Sequence, residues 1–382
     1  MLKISILFVL ISLLSCSTSK QNIHYQDAEQ ISIAKSNGLE DIMASDYIDS
    51  IAYVFLETTE ECYVAEVTSI FYLNDTIIVF DRKLNSISTF ANNGKFIKKI
   101  VSNNDIGKGV ILNVSQSGKE ILVTCNGISD ILAFDLTGKR IHQIPSSPYK
   151  FNNGLIEPGF YCDFFPSISL RFNNNNYFSI RDSNGTIINQ FIFKRKMEDV
   201  NKKAYHAFFF NLSKELHFFS TELGSIFIIK KDAIYPSYEF IDSLTGKTSI
   251  LPTGRFEIDR VAETQENLFI DAIIGKQLFN FIFQKLGKKL LPIKRVKNSR
   301  SFIYGITNNI DGIYPVWPVF ALNENLYARA VMAKEVNDFH FNEGNLDGQN
   351  IFSINMTILE QFRIRKPIEN PVIILYKFKN HE

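Results

Sequence analysis

Trp317 is the one tryptophan of the chain. It lies in Asn308-Asn309-Ile310-Asp311-Gly312-Ile313-Tyr314-Pro315-Val316-Trp317-Pro318, beside amides, a carboxylate and a phenol. An indole face for stacking, with Asn309, Asp311 and Tyr314 as hydrogen-bonding groups, is the chemistry that holds a sugar ring or a peptide. A structural reading competes with it: Asn-x-Asp-Gly is also an ordinary turn, and a Trp between two prolines is a packing anchor. The run Asn173 to Asn176 reads as a hairpin loop rather than a row of sugar-binding amides. Metal and redox motifs are missing. The histidines (His24, His142, His206, His217, His340, His381) include no pair at i, i+4 around a Glu. Cys62, Cys125 and Cys162 are odd in number, lack a Cys-x-x-Cys spacing and read as small buried hydrophobes. No cofactor is expected. Calcium would need several Asp, Glu or Asn side chains converging in space, and no spacing guarantees that.

A fourth cysteine has a different chemistry. Met1-Leu2-Lys3 is a short basic start, and Ile4 to Leu14 is an apolar run too short to span a bilayer as a helix but long enough for a secretory signal. It ends in Leu13-Leu14-Ser15-Cys16, which resembles the bacterial lipobox. That resemblance implies a diacylglycerol on the Cys16 sulfur, Cys16 as the mature N-terminus, and anchoring to a membrane without a transmembrane helix. An ordinary cleaved signal with an incidental Cys is the alternative. Ser17-Thr18-Ser19-Lys20-Gln21-Asn22 has the composition of a flexible tether. The expected organisation is a lipoprotein signal peptide at 1–15, the lipidated Cys and lead-in at 16–45, and one domain at 46–382. The expected location is the cell envelope, as an outer-membrane lipoprotein, with the periplasmic or surface face left open.

These groups need a scaffold, and composition narrows it. Of 382 residues, 45% are hydrophobic and 21% charged, which specifies a folded chain. Lys and Arg number 41 against 40 Asp and Glu, so there is no electrostatic footprint for nucleic acid. With 34 Phe and 15 Tyr, the chain suits β-sheet.

A repeat then sets the architecture. A polar residue leading an apolar run recurs at Thr76, Glu120, Asn176, Glu215, Asn267 and Asn325. The starts are about 50 residues apart, a blade length for a propeller. Six starts predict six blades. Asn92-Asn93-Gly94-Lys95 and Leu136-Thr137-Gly138-Lys139 stand at one offset from the first two starts and read as outer hairpin turns. Asn184-Gly185, Thr245-Gly246 and Leu286-Gly287 look related but at other offsets, which leaves the register of the middle blades open. The charged stretch Phe193 to Ala204 reads as a solvated loop. Ile51 to Leu56 and Val372 to Phe378 are strands without a blade of their own, and pairing them would close the ring. Ile351 to Ile364 has helical spacing, with Pro367 marking its end. The fold class expected is therefore all-β, a six-bladed β-propeller closed by pairing of N- and C-terminal strands.

At this point the chain resembles the six-bladed β-propeller lipoproteins of Bacteroidetes, a group of uncharacterised function. The likeness rests on Phe55-Leu56-Glu57-Thr58-Thr59, on Ile78-Val79-Phe80-Asp81 followed by Asn93-Gly94-Lys95-Phe96, and on Glu369-Asn370-Pro371 with the strand to Lys379. Asn309-Ile310-Asp311-Gly312 with Trp317-Pro318 is similar to a turn of that family. Two classes of function stay open. One is a non-catalytic binding module for a glycan, a peptide or an envelope protein, with Asn309, Asp311, Tyr314 and Trp317 as ligand contacts. The other is a metal-dependent propeller hydrolase or lactonase with its site in the central channel. Sialidase boxes are absent, and one Trp cannot build the blades of a quinone dehydrogenase.

Overall fold

Short apolar runs punctuated by Gly- and Asn-bearing turns fold into antiparallel sheets, as the repeat predicts. The computed structural model describes residues 20–379 except 24–27, 35–39, 108, 147–151, 158, 166–176, 193–206, 222, 245, 247–255, 276, 294–295, 298–301, 304, 334, 336–355 and 367. Cys16, the Phe193 to Ala204 loop, Asn173 to Asn176 and Pro367 lie outside those residues.

The chain opens with three strands that serve sheets completed much later: β1 (Lys20–Asn22), β2 (Glu29–Ile33) and β3 (Ile48–Phe55). Blade one is β4 (Val67–Leu73), β5 (Thr76–Asp81), β6 (Ser86–Ala91) and β7 (Phe96–Val101). Blade two is β8 (Val110–Ser117), β9 (Glu120–Asn126), β10 (Ile131–Phe134) and β11 (Arg140–Ile144). Blade three is β12 (Asn152–Glu157), β13 (Phe160–Phe165), β14 (Tyr177–Asp182) and β15 (Ile187–Ile192). Blade four is β16 (Ala207–Leu212), β17 (Glu215–Ser220), β18 (Ser225–Ile229) and β19 (Ile234–Asp242). Blade five is β20 (Phe256–Glu263), β21 (Asn267–Ile274), β22 (Gln277–Gln284) and β23 (Lys289–Pro292). After a small ribbon of β24 (Val296–Lys297) and β25 (Phe302–Ile303), blade six takes β26 (Phe320–Ala321), β27 (Leu326–Val331) and β28 (Val372–Phe378). Its fourth and outermost strand is β3, so one sheet pairs an early strand of the chain with β28, the last.

The second strand of each blade is covered on both faces, which is why it reads as a continuous apolar run. Ile77, Ile78 and Val79 are fully buried, as are Ile121, Leu122 and Val123. Each such side chain contributes roughly 1.5–3 kcal/mol by leaving water. The apolar clusters fall between successive blades, and the smallest joins blades two and three. There a polar clamp supplements it: buried Asp163 accepts from Ser146 Oγ at 2.6 Å and from Arg181 Nε at 2.8 Å.

One register expectation is corrected. Tyr177 opens the third strand of its blade, and the second strand begins at Phe160. That is why the Asn184-Gly185 turn seemed too close to its start. The turn itself belongs to the same class as the first two. Gly94, Gly138 and Gly185 all have positive φ, and each presses on the outer strand of the preceding blade or its end. A Cβ at Gly94 would lie 2.1 Å from the Phe55 carbonyl oxygen, at Gly138 2.8 Å from that of Ile100, and at Gly185 2.6 Å from that of Pro145. Glycine therefore serves the turn and the blade junction at once.

The lead-in differs from a free tether. β1 adds in parallel to the rim strand β15, and β2 adds in parallel to β19. Glu40 bridges to Ile293 and Met43 to Thr307 before the chain enters β3. This belt covers two edges that would otherwise be open to pairing with another chain. The helix expected before the closing strand is present at Met356–Ile364, and its Phe362 packs edge-on against Tyr53 and Phe55.

Candidate functional site

The segment 308–318 connects blade five to blade six, and its polar atoms are turned on each other. Asp311 Oδ1 receives the Tyr53 hydroxyl at 3.0 Å, Asn308 Nδ2 at 2.6 Å and the Ile313 N–H at 3.0 Å. Burial raises the Asp311 pKa, and those three donors oppose the rise. Asn309 Oδ1 accepts from the Ser45 N–H at 2.9 Å while its Nδ2 donates to Ser45 Oγ at 2.7 Å, tying the belt to this turn. The Tyr314 ring lies under the guanidinium of Arg329 at 5.2 Å. Trp317 is 3% exposed and meets Phe269 edge-on at 5.4 Å. The four residues singled out from sequence are therefore in one segment, but Tyr314 and Trp317 offer no open ring face. Packing explains Trp317 better than stacking on a ligand does.

An open site exists elsewhere, along the axis. The first strands of blades one, two, four, five and six border a central cavity of about 200 Å³. Three of those strands carry a β-bulge in their first half, where the register skips Thr68, Leu112 and Asp259. All three residues line the cavity. A bulge leaves one residue unpaired and bends its strand, a device common beside functional sites. First strands begin, and second strands end, at the same face of the ring, so the bulges gather at one mouth. Arg82 lies there too, directly after the last residue of β5. Phe71, Phe208, Phe210 and Arg260 complete the lining that matters chemically. The Phe208 and Phe210 rings are 5.7 Å apart, and both residues are only half-buried.

Two buried carboxylates back this wall. Glu263 takes His217 Nδ1 at 3.0 Å on one oxygen and Lys285 Nζ at 2.7 Å on the other, while its carbonyl accepts the Tyr327 hydroxyl at 2.7 Å. It thereby links blades four, five and six. Burial would raise its pKa, but the His217 hydrogen bond and the Lys285 charge outweigh burial and hold it below the ordinary value. Asp271 has the opposite balance: burial pushes it up to about 6, against the pull of Arg260 and Arg329, with Asp259 adding to the rise. Asn280 Nδ2 donates to it at 2.5 Å. Among the described residues no group of three or more His, Cys, Asp or Glu side chains is placed to hold a metal ion, and no helix is long and apolar enough to cross a membrane. Cys62, Cys125 and Cys162 are buried and form no disulfide among the described residues.

This ring of six sheets, with its shared closing blade, matches a family model over residues 28–377, described as a domain of unknown function, DUF4934. The chain belongs to the DUF4934 family. Among solved structures, this DUF4934 chain is similar to a putative exported protein of Bacteroides fragilis at TM-score 0.64 and 12% identity, covering 95% of this chain and 100% of that one. At that identity the likeness concerns the fold alone. A member of the DUF4221 family from Bacteroides vulgatus gives TM-score 0.43 at 11% identity, covering 87% of this chain and 97% of the other. No curated protein matches.

Sequence reasoning missed Arg82, Arg260 and the half-buried phenylalanines. One signal was available for Arg82: it follows Ile78-Val79-Phe80-Asp81, so it had to stand where a second strand ends. Nothing in the sequence marked the bulges.

Proposed function

We propose that the protein is an outer-membrane lipoprotein, held by acyl chains on Cys16, whose propeller is a non-catalytic binding module for a glycan, a peptide or part of an envelope protein. The observation that carries the binding reading is the bulge-rimmed channel mouth, with half-buried aromatic rings beside two guanidinium groups. A cavity of about 200 Å³ is smaller than the roughly 300–1,000 Å³ that encloses a drug-sized molecule. One sugar ring or one amino-acid residue enters, and the rest of the ligand lies over the mouth. The Asn309 to Trp317 segment then acts as a buttress, holding blade six against blade five. The metal-dependent hydrolase or lactonase would need converging ligands for its metal, and no such group is found among the described residues.

The anchor reading rests on the lipobox-like Leu13-Leu14-Ser15-Cys16 and gains support from the exported relative. Three residues lie between Cys16 and Lys20, where β1 joins blade three, so the lipid would hold that rim within about 14 Å of the Cys16 Cα. The test has two parts. Labelled palmitate should enter the wild type and not Cys16→Ser. A panel of glycans and peptides, with and without calcium, should include a compound that raises the melting temperature. No label in the wild type overturns the anchor, and no shift across the panel overturns the binding module.

A further inference from the structure

Three successive blades repeat one detail at their rims. Just after the third strand turns back into the outer one, the pairing skips a single residue of the outer strand: Ile97 in blade one, Ile141 in blade two and Ile188 in blade three. A bulge leaves its extra residue out of the ladder and re-aims the side chain. Ile97 is 51% exposed and Ile141 46%, and Ile188 is half-buried. In blade four the skipped residue is Ser237, so the isoleucines mark one arc of the ring. Lys98 Nζ donates to the Thr137 carbonyl, and the Gly185 turn presses on Pro145, so the three hairpins are contiguous.

The same arc is basic. Exposed Lys95, Lys98 and Lys99 stand on the blade-one hairpin, and exposed Lys139 and Arg140 on that of blade two. Its carboxylates are engaged. Asp135 Oδ1 accepts the Thr137 and Lys139 N–H groups at 2.8 and 3.0 Å, and Asp182 Oδ1 those of Asn184 and Thr186 at 2.9 and 2.8 Å. Nearby, Glu57 accepts the Phe96 N–H at 2.8 Å, and Glu120 stands 3.6 Å from His142 Nε2. Lysines on an open outer strand would by themselves guard it against edge pairing. Exposed isoleucines do not serve that end. Apolar side chains set among cations are what a bilayer with anionic headgroups takes up, the first by burial at the acyl boundary and the second by charge.

The tether brings a bilayer to this arc. β1 runs parallel to β15 with Lys20 opposite Gln190, two residues beyond Ile188, and Lys20 is the end of β1 nearer the hairpin turns. We propose that the rim of blades one to three docks on the anionic surface of the membrane that holds Cys16, with Ile97, Ile141 and Ile188 in the headgroup layer and Lys99, Lys139 and Arg140 on lipid phosphates. This rests on the anchor reading and orients it. Third strands end at the face opposite the channel mouth, so docking leaves that mouth turned away from the bilayer.

The test places the full chain, as its host processes it, on vesicles of equal parts phosphatidylglycerol and phosphatidylethanolamine, with phosphatidylcholine vesicles as the neutral comparison. A water-soluble acetylating reagent reads which lysines the bilayer covers. Lys99 and Lys139 should react about threefold or more slowly on the anionic vesicles, and the difference should fade in high salt. Lys83, which follows β5 at the channel-mouth face, should react equally on both. Ile97→Ser combined with Ile141→Ser should remove the protection while the melting temperature stays near that of the wild type. Equal reactivity of Lys99 on the two kinds of vesicle, or protection that survives the double substitution, overturns the docking rim and leaves the anchor to the palmitate label. Protein that takes no palmitate yet sediments with the anionic vesicles alone overturns the anchor and supports the rim.

Discussion

Asn370 Oδ1 accepts the backbone N–H of Val64 at 2.7 Å across 306 residues of chain. The same amide donates through Nδ2 to the carbonyls of Glu57 and Cys62, each at 2.6 Å, and the Asn370 N–H donates to Thr58 Oγ1 at 2.8 Å. Arg365 then covers the turn, donating to the carbonyls of Leu56 and Asn370. The ring is thus fastened by one fully buried amide at the point where β28 meets β3. Asn370→Ala leaves the Val64 N–H and the Cys62 carbonyl without their partner in the interior, at roughly 1–3 kcal/mol for each orphaned group. The expected loss is about 4 kcal/mol in urea unfolding, with early exchange of the β3 and β28 amides. A loss below about 1 kcal/mol would mean that β-pairing alone closes the ring.

Gly94 tests the blade junction in the same way. It combines φ of 86° with an approach in which a Cβ would stand 2.1 Å from the Phe55 oxygen. Gly118 has φ of 58° and nothing within 4 Å of a Cβ. Gly118→Ala should therefore cost only the backbone term, roughly 1 kcal/mol. Gly94→Ala should cost at least about 3 kcal/mol, because the turn must also leave β3. Equal losses in thermal unfolding would show that the junction yields freely.

The blades were legible where both faces of a strand are buried, because Ile77 to Phe80 and Ile121 to Val123 then form unbroken apolar runs. Blade three was misregistered for the converse reason. Its second strand interrupts Phe160-Tyr161-Cys162 with buried Asp163, whose cost is met by Arg181 and Ser146, partners that only the fold supplies. The closing pair was readable as two leftover strands, and the motifs around Glu57 and Asn370 turned out to be the two halves of one clasp. The channel was not readable. Its strands are half-exposed, their bulges have no residue signature, and Arg82 and Arg260 acquire meaning only when blades one and five face a common axis. Trp317 drew attention by its rarity, although its surroundings are those of a core residue.

Glu263 is the charge on which three blades converge, so its removal should be felt globally. Glu263→Gln leaves the Lys285 ammonium, 17% exposed, without its anion. The expected cost is about 3 kcal/mol, the scale for breaking a buried pair from one side. The pH dependence has a definite sign. Because the folded pKa lies below the ordinary 4.5, this carboxylate contributes stability above about that value and loses it as pH falls through the folded pKa. The variant should lack that acid limb. A variant whose unfolding curves follow the wild type between pH 3 and 5 would remove Glu263 from the account.

Asp271 should act in the opposite sense, and in a higher window. Its pKa is raised from 3.8 to about 6 by burial, so the folded state holds a proton that the unfolded chain has released. Its contribution to stability is therefore least unfavourable below about pH 4 and becomes a growing penalty up to about pH 6. Beyond that it is constant. Two pH units correspond to about 3 kcal/mol. Asp271→Asn keeps an acceptor for Asn280 Nδ2 and removes the ionisation. Its unfolding free energy should exceed that of the wild type by about 2–3 kcal/mol at pH 7, and the gap should close by pH 4. Arg260 and Arg329 set the limit on this gain, since both lose a nearby anion when Asp271 becomes an amide. A variant that is less stable than the wild type at pH 7 would mean that those two guanidinium groups need the Asp271 charge more than the interior resists it.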